Sequence, residues 1–418
     1  MAEKIITGLD VGSTAIRVAV GQVLPSEAAD RVHLIAAVTV PSQGISRGAV
    51  VSVEEAVTSI SSAIEAAERI AGVPIDSAYV SVSPGHAIAQ TSRGVIGVSR
   101  SDGEIRAEDV ERAVDAARMV ATPANYEILH VLPKSYMVDG QIGVRDPVGM
   151  TGIRLEVESL IIQGLSSHLR NLTKCVHRTG IEIDALVLGS LAAAEAVTNA
   201  RERDLGVAAV AIGAASSSIA VYEGGDVLYV GSIPIGAEHI TSDIAIGLRT
   251  SLDIAEKVKI SFGTANSKDI PKKEEISLSE LGSSEDEKVS RKYVSEIIEA
   301  RAEEICEKID RELRKIDRSG MLPAGVILAG GGAKLPGMTD VAKRVLRLPA
   351  SVGYPAGISS ITDKSSDTAF ATAVGLVLWG AQSAAASERR GGGDIMGKLP
   401  NIGSLGKGVK KLFKSFMP

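Results

Sequence analysis

Asp10, Gly12, Ser13 and Thr14 stand together in Leu9-Asp10-Val11-Gly12-Ser13-Thr14-Ala15, between two runs of β-forming residues. Glycine lets backbone N–H groups close on a phosphate, and short hydroxyls add donors, so this turn suits a polyphosphate. Asp10, last in its run, is placed to hold a hydrated Mg²⁺ through water rather than the phosphate itself. The arrangement recurs in Gly213-Ala214-Ala215-Ser216, flanked by the runs 207–212 and 217–222. A third turn, Gly330-Gly331-Gly332, follows an apolar run and precedes the helix-like Met338-Thr339-Asp340-Val341-Ala342-Lys343-Arg344-Val345. Any one of the three is an ordinary turn by itself. Three of them, in the order hairpin, hairpin, strand–glycine–helix, point to one shared ligand.

The elements that must carry these turns read as an α/β chain. A hairpin over 4–21 is followed by a strand at 32–40. Ser52-Val53-Glu54-Glu55 reads as a capping box opening a helix to about 72. The stretch Gly44-Ile45-Ser46-Arg47-Gly48 matches a nucleophile elbow, but that motif needs a helix directly after the serine, and the helix starts too late. A strand at 78–83 leads into a change of texture. Residues 84–162 read as an inserted α+β unit: a helix at 106–120 and strands at 126–132, 136–138 and 155–162. The main pattern resumes with a helix at 167–179, a strand at 183–188 and a crossing helix from Gly189. A second half begins near 205. It contains a polar stretch at 267–287 with a short strand at 275–278, a charged helix at 288–316, and an apolar helix at 369–380.

Composition narrows the function. With 418 residues the chain has room for two or more domains or a duplicated core. Hydrophobic residues make up 45% and aromatic ones 3%, which implies aliphatic cores. Cys175 and Cys306 are far apart, and six histidines are scattered without metal-site spacing. The chain enters a strand almost at once, so no signal peptide is expected, and no apolar run reads as long enough to span a bilayer. Net charge is −6, and the four lysines of 407–418 leave the body more acidic still, which argues against nucleic acid.

The end of the chain is a separate object. Residues 383–406 are rich in Ala, Ser and Gly and read as a flexible tether. Beyond it, Val409, Leu412, Phe413 and Phe416 fall on one helical face, with Lys410, Lys411 and Lys414 on the other. That is the pattern of a helix lying in an anionic membrane surface. Each lysine contributes about 1 kcal/mol and each partly inserted apolar side chain about 1–2 kcal/mol. Ordering the tail offsets much of this, so one copy binds reversibly and linked copies bind firmly.

The three turns in this order resemble the duplicated actin-like (RNase H-like) fold. The whole chain resembles the FtsA family of bacterial cell-division proteins. That resemblance rests on the first phosphate motif, on Asp146-Pro147-Val148-Gly149-Met150-Thr151-Gly152 in the inserted unit, on Ala255-Glu256-Lys257-Val258-Lys259, on Gly330–Gly332, and on the tethered basic helix. It implies ATP and Mg²⁺ as ligands. Glu256 and Lys259 would contact the nucleoside, where the bare reading is an i,i+3 surface pair. It implies self-association into filaments, later division proteins recruited by the inserted unit, and the FtsZ C-terminal peptide bound near Arg291 and Arg301, whose guanidinium groups suit a carboxylate. It implies residence on the cytoplasmic face of the membrane at the division site.

The domains it implies are 1–83 with 163–204, an insertion at 84–162, 205–252 with 320–381, a peptide-binding unit at 253–319, a linker at 382–406 and a membrane helix at 407–418. The chain departs from the family at Ala211 and Ser218, where many relatives carry carboxylates, and at Gly189, which cannot orient water. ATP hydrolysis is therefore expected to be very slow. Two alternatives share the fold: a pilus-assembly peptide-binding platform and a sugar kinase.

Overall fold

The computed structural model describes residues 4–24, 31–119, 122–283, 288–360 and 366–389. Strand β1 (Lys4–Val11) pairs along its whole length with β2 (Ala15–Leu24), from Lys4 opposite Val23 to Val11 opposite Ile16, and β2 pairs with β3 (Arg31–Pro41). Buried positions such as Ile6, Leu9, Ile16, Val18 and Val20 give these strands apolar surfaces. A short hairpin, β4 (Ile45–Ser46) and β5 (Ala49–Val50), leads to α1 (Val53–Ala71) and β6 (Ser77–Val82). The apolar stripe of α1, including Ile60, Ala63, Ile64 and Ala67, is buried against β2 and β3. Gly72 ends the helix in the left-handed conformation. The expected capping box is not formed: Ser52 sits at the N-cap, but its side chain makes no cap bond, and Ala56 N–H bonds its carbonyl instead.

Next comes the inserted unit: β7 (Ala87–Gly97), α2 (Ala107–Arg118), β8 (Tyr126–Val138), β9 (Gln141–Val144) and β10 (Arg154–Leu165), with sheet order β7-β10-β8-β9. Its core, Val98, Ile105, Ala113, Ala117, Val138, Val144, Leu155 and Val157, is its own. Two strands expected at 126–132 and 136–138 are one. Pro133 lies opposite Ser159 at a register shift, where its missing N–H does not interrupt the ladder.

The chain returns through α3 (Ser166–Arg178) and β11 (Glu182–Leu188), which gives the first sheet the order β11-β6-β1-β2-β3, with β19 (Ile358–Ser360) at its far edge, and then enters α4 (Gly189–Val197) and α5 (Ala200–Leu205). Of the nine residues of α4, eight are buried, because it packs on both sheets.

The second half repeats the hairpin as β12 (Val207–Ile212), β13 (Ser217–Glu223) and β14 (Asp226–Ile233). Helices α6 (Ala237–Leu248) and α7 (Leu252–Phe262) follow, then the pair β15 (Glu275–Ser277) and β16 (Lys288–Ser290) and the long α8 (Arg291–Arg314). The helix expected at 288–316 therefore loses its first residues to a strand, because Lys288–Ser290 pairs antiparallel with Glu275–Ser277. Strand β17 (Val326–Ala329), α9 (Met338–Leu346) and β18 (Ala350–Val352) complete the second sheet, order β14-β13-β12-β17-β18. Strand β19 (Ile358–Ser360) returns to the first sheet, and α10 (Ala371–Arg389) packs on α4, β1, β2 and β6.

Two expectations about the end of the chain need correction. Helix α10 continues to Arg389, so no tether starts at 383. The stretch Thr368–Ala385 is long and apolar enough to cross a membrane by length and composition, although no such run was expected. Half of it is buried inside the protein, and Phe370, Val374, Leu376 and Val377 are core residues. Its apolarity is explained by that packing.

The inserted unit is tied to the body by a buried histidine. His130 on β8 accepts from the N–H of Leu188 at 3.0 Å through Nε2, and its ring lies 5.5 Å from that of Trp379. Burial pushes its pKa down from 6.5 to about 4. Below about 6.5 the unfolded chain takes up a proton that the folded chain refuses until about 4. Stability is thus fully present above the unfolded value and falls by about 3 kcal/mol as pH drops through this window. Urea midpoints followed by Trp379 fluorescence should fall between pH 6.5 and 4 in the native chain. A His130→Gln variant, which keeps an acceptor and does not titrate, should lack that part of the slope.

Candidate functional site

The first turn is held by its own backbone. Gly12 N–H bonds the Ala15 carbonyl at 3.2 Å, and Thr14 O accepts from Ser42 at 3.0 Å. Ser13 Oγ accepts from the Gly48 N–H at 3.1 Å. A hydroxyl has one donor and two acceptor positions, so Ser13 keeps a proton to give elsewhere. Ser81 Oγ donates to Asp10 Oδ1 at 2.8 Å and itself accepts from the Val11 N–H at 3.2 Å. Burial raises the Asp10 pKa, while the Arg17 charge and the Ser81 hydroxyl pull it back. A desolvated carboxylate is poorly neutralised by one hydroxyl, and a hydrated divalent cation, which needs few protein ligands, fits it.

The second turn is anchored on its carbonyl side. Gly213 N–H bonds Ser216 O at 3.0 Å, and the carbonyls of Gly213 and Ala214 accept from Ala237 and Glu238, in the first turn of α6, at 2.9 Å each. Ala215 completes this turn, in which the carbonyls of Gly213, Ala214 and Ser216 are bonded within the fold.

Strands β12 and β17 run parallel, with Ala211 opposite Ala329, so Gly213 and Gly330 emerge side by side. Gly330 has φ +84° and donates to the Thr368 carbonyl at 3.0 Å. A Cβ there would lie 2.6 Å from the Ile212 carbonyl oxygen, whereas one on Gly331 would meet nothing within 4 Å. Gly332 is buried against the Ile212 side chain.

Helix α7 closes on this assembly. Lys259 Nζ pairs with Glu256 at 2.6 Å and bonds Thr241 at 2.8 Å and the Ala237 carbonyl at 3.3 Å. The Glu256–Lys259 pair expected from the i,i+3 spacing is therefore made, and Thr241 joins it. Beside the third turn lies a cavity of about 480 Å³ lined by Ala333, Lys334, Pro336, Tyr354, Asp367 and Thr368. Lys334 and Asp367 form an ion pair there at 2.6 Å. The sequence reading missed these two. Lys334 stands two residues after the last of the glycines and could have been found, but Asp367 reaches the site only through the tertiary fold.

Gly189, at the start of α4, faces Ser81: a Cβ built on it would lie 4.0 Å from Ser81 Cβ and 3.4 Å from the Val82 carbonyl. Helix α4 thereby links the first turn, through Ser81, to the sheet that carries the other two.

Arg291 and Arg301 are engaged within the chain. Arg301 grips Asp243 with two bonds, at 2.5 and 2.8 Å, and also pairs with Glu304. Arg291 pairs with Glu274 at 2.5 Å and bonds the Phe262 carbonyl at 3.0 Å. In the inserted unit, the Asp146–Gly152 loop is pinned to Ile105 through Gly149 N–H and the Met150 carbonyl, both at 2.8 Å. Val409, Lys410, Lys411, Leu412, Phe413, Lys414 and Phe416 lie outside the described residues.

Two sheets that each open with a strand–turn–strand hairpin, joined through α4 and interrupted by an α+β unit, define a duplicated actin-like fold. Residues 208–375 match the family described as "Cell division protein FtsA", and residues 85–163 match "SHS2 domain inserted in FTSA". Cell division protein FtsA of Borreliella burgdorferi is 38% identical over 380 residues, 91% of each chain. That of Pseudomonas aeruginosa is 35% identical over 379 residues, 91% of this chain and 90% of its own. Among solved structures, a "PilM-PilN type IV pilus biogenesis complex" aligns with TM-score 0.64 at 17% identity, covering 90% of this chain and 98% of that one. The MreB5 of Spiroplasma citri bound to ADP aligns with TM-score 0.55 at 13% identity, covering 93% and 99%. The chain belongs to the FtsA family of bacterial cell-division proteins.

Gly330→Ala forces a Cβ into a carbonyl and a strained φ, and should cost about 1–3 kcal/mol of stability. Gly331→Ala should cost under about 1 kcal/mol. Thermal unfolding of the two variants side by side checks this.

Proposed function

We propose that the chain binds ATP with Mg²⁺ between its three glycine-containing turns and uses the bound nucleotide to set a polymer-competent shape. It would tether the FtsZ ring to the membrane and recruit later division proteins. The observation that carries the nucleotide part is the side-by-side emergence of Gly213 and Gly330 from parallel strands, with the partly buried Asp10 carboxylate at the end of the first strand. The MreB5 structures, bound to ADP and to AMPPNP, support a nucleotide in this fold. In this reading Asp10 holds Mg²⁺ through water; Gly12, Ser13, Thr14, Gly213, Ala214, Ala215 and Ser216 donate to phosphates; and Glu256, Lys259 and Gly330–Gly332 frame the nucleoside.

Slow hydrolysis is expected, because the positions that orient the attacking water in many relatives carry no such group here. Ala211 and Ser218 face each other in the β12–β13 register, so both carboxylate positions of many relatives are lost at one place. Gly189 adds no side chain beside Ser81.

The FtsZ C-terminal peptide docks on the unit at 253–319. Arg301 offers its guanidinium there only by sharing or exchanging Asp243, so the peptide's carboxylate competes with an internal one. The helix at 407–418 holds the chain on the cytoplasmic face of the membrane, and filaments make that hold firm. A pilus platform and a sugar kinase, the other readings of this fold, are not favoured now that the family is established.

Titration with an FtsZ C-terminal peptide should saturate, and Arg301→Ala should weaken it about tenfold. Absence of saturable binding overturns the tethering role. Asp10→Asn should weaken Mg²⁺-dependent ATP binding by about tenfold or more while leaving the fold intact. A chain ending at 406 should no longer co-sediment with anionic vesicles that the full chain binds.

A further inference from the structure

The inserted unit leaves and rejoins the body at a neck of two segments, Pro84–His86 and the start of α3, and each contributes a histidine. The rings of His86 and His168 lie 3.7 Å apart, tilted by 36°. The Arg47 backbone lies close enough to the His86 ring to favour its protonated form. The next residue in that loop, Gly48, donates its N–H to Ser13 Oγ in the first turn. Ser13, Gly48–Arg47, His86 and His168 therefore form an unbroken series of contacts from the first turn to the neck.

The loop in the middle is held tightly. Arg47 has φ +49°, a left-handed conformation that non-glycine residues rarely take. Gly48 has φ +76°, and a Cβ on it would lie 2.3 Å from Ser83 Oγ, one residue before the neck. Helix α3 packs on β5, the other end of the same loop, and the Pro84–His86 segment packs on β14 of the second half. Displacing the loop therefore displaces the neck. The histidine pair is not explained by local stability. His86 Nε2 and His168 Nδ1 are buried without a hydrogen-bond partner among the described residues, and such groups cost free energy. Burial and the neighbouring His168 both hold the His86 pKa below its usual value, so this imidazole is disposed to stay neutral against its partner.

We propose that this series is a conformational relay: phosphate bound at the first turn fixes Ser13, Ser13 seats the 44–48 loop, and the loop locks the histidine neck that sets the angle of the inserted unit. The proposal rests on the nucleotide reading above. Ser13 can accept from Gly48 and donate to a phosphate oxygen at once, so occupancy fixes the hydroxyl in the orientation that holds the loop. The two sites are coupled through one packed loop, and the coupling must run both ways.

Hydrogen exchange on the full chain with and without Mg²⁺–ATP, with ATP affinity measured on the same samples, tests the relay. In the native chain ATP should slow exchange in 84–97 and 163–170 by about fivefold or more. His168→Ala should still bind ATP but lose most of that response, and His168→Phe, which keeps a ring on His86, should retain it. Ser13→Ala at saturating ATP should lose it too. An unchanged response in His168→Ala, or no neck response in a native chain that binds ATP, overturns the relay alone. Failure of the native chain to bind ATP overturns the nucleotide reading, and the relay with it.

Discussion

Parallel pairing of β12 and β17 is the constraint on which the site depends. Parallel strands in one sheet start from the same edge and finish at the same edge. Two turns separated by more than a hundred residues are therefore set side by side, and Gly330 passes so near the Ile212 carbonyl that no side chain fits. Helix α4 extends this constraint to the first half. It is buried on nearly every side, touches both sheets, and begins at Gly189 against the Ser81 that holds Asp10.

Polar contacts then decide which surfaces are fixed and which are free to act. The second turn spends its carbonyls on α6, and α6 is clasped to α7 by Thr241, Glu256 and Lys259. Arg301 lies in the same half and is already paired bidentately with Asp243, so its guanidinium is held within the fold.

The inserted unit has an independent core yet is not loosely hung. His130 buries an acceptor against Leu188, and the neck histidines stack where the chain enters and leaves. The unit also reaches the second half. Its strands β7 and β8 pack on β14, and Arg145 pairs with Asp204 at 3.3 Å. The unit is thus fixed at both its neck and its flank.

Local chemistry was legible in the residues themselves. The glycine turns between apolar runs, the helix ended by Gly72, and the i,i+3 pair of Glu256 and Lys259 depend on neighbours in sequence, so spacing exposed them. So did the alternation of strands and helices that marks a duplicated α/β chain with an insertion. What depended on distant partners was not legible. Lys288–Ser290 is a strand because Glu275–Ser277 lies beside it, and Pro133 sits inside one long strand because a register shift spares its missing N–H. The apolar stretch running to Ala385 belongs to a core helix because α4 covers it. His86 and His168 meet only at the neck, Asp367 reaches Lys334 only across the cavity, and Arg301 finds Asp243 from another helix. Sequence by itself determined the glycine turns and the elements whose periodicity or end signals are local, since those obey short-range geometry. Which side chains face one another was decided by the tertiary fold, since long-range pairing leaves no periodic trace along the chain.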